Sequence, residues 1–109
     1  MREARIIVPL KDNDGNDLTA VHTFAKHALC RKFGGFTATP ISGGWMDDDG
    51  TFYEDHSIAY DIAMVPDRQD DVLRDLVLEL GVMARQLAMY CRYASGTVEI
   101  IDTSKALAA

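Results

Sequence analysis

From Ile58 to Met64 every second residue is large and apolar (Ile58, Tyr60, Ile62, Met64), and the residues between, Ala59, Asp61 and Ala63, are small or polar. An extended chain puts such a set on one face, because successive side chains of a strand point to opposite sides. The strand begins near Thr51, after the acidic turn MDDDG at Met46–Gly50, and Pro66 ends it. Asp-Gly between two extended runs is a hairpin signal, which places the partner strand in Phe36–Trp45 (FTATPISGGW). Pro40 and the Gly43-Gly44 pair predict that this partner is bent or bulged.

The flanks supply what such a hairpin packs against. Arg5–Leu10 (RIIVPL) has three consecutive β-branched residues and reads as a strand that Pro9 confines to an edge or a terminus. Leu18–Phe33 reads as a helix: Leu18, Val21, Phe24, Ala25, Ala28 and Leu29 form one stripe, Asp17 caps the start, and Gly34-Gly35 ends it. Its other face carries Thr19, His22, Thr23, Lys26, His27 and Arg31. A second helix is expected over Arg68–Tyr90, with Asp67 as N-cap and a stripe of Leu73, Leu76, Val77, Leu80, Met83, Ala84 and Leu87. Gly81 inside it lowers helix propensity and points to a close approach by another element. Thr97–Asp102 (TVEIID) reads as the last strand and 103–109 as a flexible tail. The order β-α-β-β-α-β predicts one α+β domain over residues 1–109, of the ferredoxin-like split βαβ type: an antiparallel four-stranded sheet with two helices on one face. The other face is left to be covered, so a homo-oligomer, dimer or trimer, is expected.

The net charge of -6 argues against a broad nucleic-acid footprint. No apolar run approaches a membrane span, and Met1–Pro9 lacks the pattern of a signal peptide, so a cytoplasmic protein is expected. Cys30 and Cys91 lie outside any CxxC and read as ordinary thiols. Asp12, Asp14 and Asn16 echo the start of a calcium loop, but Thr23 stands where the bidentate Glu belongs. The sequence implies neither metal nor cofactor.

The residues that suit chemistry gather in the hairpin. Glu54 and His56 share one strand face, a spacing that suits a proton-transfer pair, while Tyr53, Asp55 and Ser57 share the other. Tyr53 suits substrate positioning, which makes Glu54, His56 and Tyr53 the candidate catalytic set. Trp45, Asp61, His22 and Ser57 are candidates for ligand or interface contact. Asp61 lies mid-strand among apolar neighbours and needs a cationic partner such as Arg85 or Arg92.

The run FGGFT, then GxW, an Asp-Gly turn and a Tyr-Glu strand resembles, over Val8 to about Val65, small phage and plasmid proteins to which no activity attaches. Phage S-adenosylmethionine lyases, which work as trimers, are similar in fold size and assembly and share no specific motif with this chain. Three functions follow: a small oligomeric module that binds, and inhibits, a ligand or protein; a small acid-base enzyme of lyase or isomerase type working through Glu54, His56 and Tyr53; or a structural assembly protein.

Overall fold

The computed structural model describes residues 1–108. Its central strand is the first, β1 (Arg2–Pro9), followed by α1 (Thr19–Phe33), the hairpin strands β2 (Thr37–Met46) and β3 (Phe52–Met64), and α2 (Asp70–Met83). Two short strands, β4 (Ala88–Arg92) and β5 (Val98–Asp102), and a helical turn α3 (Ser104–Ala108) complete the chain. The sheet is antiparallel in the order β2-β3-β1-β4-β5. Its first four positions are those of the split βαβ pattern, and β5 adds a fifth strand at the edge.

Alternation sorts the sheet into two faces. Ala4, Ile6 and Val8 of β1, Tyr60, Ile62 and Met64 of β3, Met89 and Cys91 of β4, and Ile101 of β5 are buried beneath the helices. Leu73, Leu76, Val77 and Leu80 of α2 and Val21, Ala25, Ala28 and Leu29 of α1 complete one continuous core with them. The predicted row of β3 is therefore the core row. α1 ends as expected, with Gly34 at φ 91° and its amide donating to the Cys30 carbonyl.

The second helix differs from expectation. It begins at Asp70, and Asp67, expected as its cap, takes a left-handed turn conformation (φ 64°) after Pro66. It ends at Met83 because Arg85 turns left-handed at φ 53°. Residues 88–92, of which 88–90 are read from the sequence as its last turn, are the strand that pairs with β1; the expected fourth strand is the fifth. Leu87 continues the helical spacing but is exposed, whereas Met89 and Cys91 alternate inward. Gly81 does allow a close approach: a Cβ there would lie 2.6 Å from Thr103 Cγ2 and 2.8 Å from Met89 Cγ. Thr103, placed in the expected tail, is buried and its hydroxyl donates to the Gln86 carbonyl. Ala109 lies outside the described residues.

β2 is also more regular than expected. It pairs with β3 without a break from Thr37↔Asp61 to Met46↔Phe52. As an edge strand it tolerates Pro40. Gly44 is there to pack: the Phe52 ring crosses it, and a Cβ would meet Phe52 Cε2 at 2.7 Å.

Candidate functional site: a groove on the open face of the sheet

β1 ends at Pro9, opposite Ser57, while β2 and β3 run on as a two-stranded arm to Met46 and Phe52. The turn at the tip of the arm is built by Asp47. Its Oδ1 accepts from the amides of Asp49 and Thr51, and its Oδ2 accepts from the Tyr53 hydroxyl at 3.2 Å. Tyr53 is thereby fixed against its cross-strand partner Trp45, with ring centroids 4.5 Å apart and planes 17° from parallel. Two aromatic rings so placed are stacked face to face, each covering one face of the other, which leaves the outer face of the stack as the platform; Trp45 remains 54% exposed.

The platform opens onto the helix-free face. Down β3 from Tyr53 come Asp55, Ser57, Ala59 and Asp61; beside them stand Pro9 and Ile7 of β1, then Ala88 and Tyr90 of β4, then Ile100 of β5. Two overlapping hollows, of about 560 and 690 Å³, share Ile7, Trp45, Asp55, Ser57, Ala88 and Tyr90. These volumes suit a small ligand. Lys11, Asp12 and Asn13 form one rim. The Asp12 carboxylate is turned into its own loop, where it accepts from the amides of Asp14 and Asn16 and from the Asn16 side chain. Those bonds hold it below the usual carboxylate range and occupy the oxygens a calcium loop would offer. Among the described residues no three metal-ligating side chains converge.

Asp61 lies on the same face, four residues beyond Ser57. Its partner is Arg5, directly across the strand pair, with Nε and Nη2 donating at 2.8 and 3.0 Å. Arg85 and Arg92 were the expected partners. Arg92 faces Arg5 from β4 and acts on Asp61 only through its field, while Arg85 lies near Asp12. The bonds from Arg5 lower the Asp61 pKa against the opposing effect of burial.

Glu54 and His56 lie together on the other side of the arm, as the alternation requires, with Glu54 Oε1 3.8 Å from His56 Nε2. Both are exposed beside Leu10 and Lys11 in a shallow hollow of about 360 Å³. Tyr53 faces away from them, so the three candidate catalytic residues do not meet at one point. His22 differs most from its place on the polar face of the helix. It is buried, with Nε2 donating to the Pro9 carbonyl at 2.8 Å and Nδ1 accepting from the Tyr60 hydroxyl at 2.5 Å. Burial pushes Tyr60 up to about 12, which keeps it a hydroxyl donor. His22 thus fastens α1 to the sheet on the side away from the groove.

Of the candidates, Trp45, Tyr53 and Ser57 come together in the groove. Asp55, Ile7 and Tyr90 join them and were not selected from the sequence. Asp55 was visible there, on the Tyr53 face. Tyr90 was hidden by its assignment to the helix.

No family model and no curated protein matches the chain. Two solved structures are similar to it, both of a phage SAM lyase. For the complex with S-methyl-5'-thioadenosine the TM-score is 0.71 at 17% identity, over 92% of this chain and 88% of that one. For the apo state the TM-score is 0.65 at 17% identity, over 92% and 87%. At this identity the likeness is one of fold.

Proposed function

We propose that the protein is a small homo-oligomeric binding protein whose open-face groove takes a compact ligand with a planar ring and a cationic centre, and that it cleaves that ligand as a lyase. The observation that carries this reading is the Trp45–Tyr53 platform beside the free carboxylate of Asp55. The platform suits a heteroaromatic ring, and a carboxylate at its foot suits a positive charge. The shared fold with a SAM lyase makes S-adenosylmethionine, an adenine-bearing sulfonium, the first ligand to test. Apolar Val98 and Ile100 at the far side of the groove support a second copy packing there.

The test is calorimetry with S-adenosylmethionine and with S-methyl-5'-thioadenosine, coupled to chromatography for release of the latter from the former. Binding and release are expected, and Trp45→Ala is expected to weaken binding at least tenfold. Absence of binding by both compounds at millimolar concentration sinks the ligand assignment; binding without release leaves the binding protein and removes the lyase. A second reading keeps Glu54 as base with His56 as its partner, favoured by their 3.8 Å contact. Glu54→Gln then abolishes turnover with the fold intact, while Asp55→Asn leaves it unchanged.

A further inference from the structure

The helix side of the sheet has a hollow of its own. α1 packs over β1 and β3 and leaves the inner row of β2 uncovered, so Ala38 stays exposed beside half-buried Ile58. Between that row and the first turns of α1 lies a groove of about 440 Å³. Its floor is Ala38 and Ile58, with the buried Tyr60 beneath them; its wall is Thr23 and Lys26; Leu10, Lys11 and the carboxylate of Asp17 stand at one end.

The chemistry of this groove is uneven in a useful way. At its base, both ring nitrogens of His22 are already bonded, to Tyr60 and to Pro9. The Thr23 hydroxyl donates to the Thr19 carbonyl of its own helix. The deep part therefore offers carbon to an occupant and no free donor. Charge enters at the rim. The Asp17 carboxylate is held below the usual range by hydrogen bonds from the Thr19 hydroxyl and amide, and to a smaller extent by the nearby charge of Lys11. Lys26 is exposed and has no acidic group within ion-pair distance among the described residues. Of the eleven Lys and Arg only Arg5 and Arg74 make ion pairs among the described residues, so an unpaired cation is common here; Lys26 is set apart by its place in the wall of an apolar groove.

We infer that this groove is a second ligand site, taking a small monocarboxylate whose apolar body lies on Leu10, Ala38 and Ile58 and whose carboxylate meets Lys26, at the wall away from Asp17. A compact anion such as phosphate does not fit, because the floor gives it nothing to bond and costs it hydration. An uncharged apolar molecule fills the floor but forgoes the ammonium. The site is on the opposite face from the groove proposed above and does not depend on that reading.

The test is a titration of the protein with sodium octanoate, followed by amide chemical shifts. Saturable shifts are expected at Thr23, Lys26, Ala38 and Ile58, with those at Ile7 and Tyr90 unmoved. Octanol, the same body without the charge, is expected to bind at least tenfold more weakly. Lys26→Gln, a surface change, is expected to cost the same tenfold, and Lys26→Arg to restore most of it. Equal affinity for octanol and octanoate, unchanged affinity in Lys26→Gln, or shifts that do not saturate or that fall on the open face would each overturn the proposal.

Discussion

Asp61 stands where two arginines face each other across adjacent strands, and it pairs with one of them. Arg5 depresses its pKa in the folded state, so the folded protein binds the proton less readily than the unfolded chain does. The stabilisation is present above the ordinary value of 3.8 and is lost as pH falls through the folded value. Asp61→Asn keeps the shape, removes the charge and leaves Arg5 opposite Arg92. We expect a loss of about 1–3 kcal/mol at pH 7, and a gap from wild type that narrows in urea unfolding at a pH below 3.8. A gap of the same size at both pH values would show that shape, not charge, is what Asp61 supplies. Gly81 makes a second prediction at this scale. Alanine in a helix interior ordinarily gains about 1 kcal/mol over glycine. Here its methyl meets Thr103 and Met89 at under 3 Å, and overpacking costs about 1–3 kcal/mol. Gly81→Ala is expected to lower the denaturation midpoint; a raised midpoint would mean that Thr103 can move aside.

At the scale of elements, α2 and β4 share an uninterrupted run of helix-like spacing, and what separates them is a single residue. Arg85 adopts φ 53°, a conformation that costs an L-residue about 1–2 kcal/mol and glycine little. Arg85→Gly is therefore expected to hold or raise stability, against the usual penalty of a glycine near a helix end. A clear loss would show that the Arg85 side chain matters more than its backbone. This boundary was not legible in the sequence. Leu80, Ala84 and Leu87 repeat at helical intervals, and a five-residue strand with two inward side chains, Met89 and Cys91, gives too short an alternation to compete. β3 was legible because its alternation is long and buries Tyr60, Ile62 and Met64 on one face, which also placed Tyr53, Asp55 and Ser57 together. The groove as a whole was not. Tyr90 and Ile7 reach it through strand order, and strand order is decided by pairing between distant parts of the chain.

For the whole molecule, the unanswered demand is on the open face. Ile100 is 61% exposed and Val98 51%, beside half-buried Tyr90. A second copy seated there would bury them, so Ile100→Glu is expected to shift the native mass toward monomer while the far-ultraviolet spectrum stays unchanged. A monomeric wild-type protein would remove self-association from the reading and leave the groove open on one side.

The central place of the first strand has a consequence in time. Arg5 finds Asp61 on one side and Arg92 on the other. During synthesis β1 is the first strand to emerge and has neither neighbour for dozens of residues. It gains β3 only after the hairpin has been made, and β4 only when most of the chain exists. Its apolar run Ile6-Ile7-Val8 must wait through that interval with its backbone unpaired. Closing loops this long is slow compared with forming a helix or a hairpin, so the arm and α1 can form early, and the sheet is completed from its middle, last.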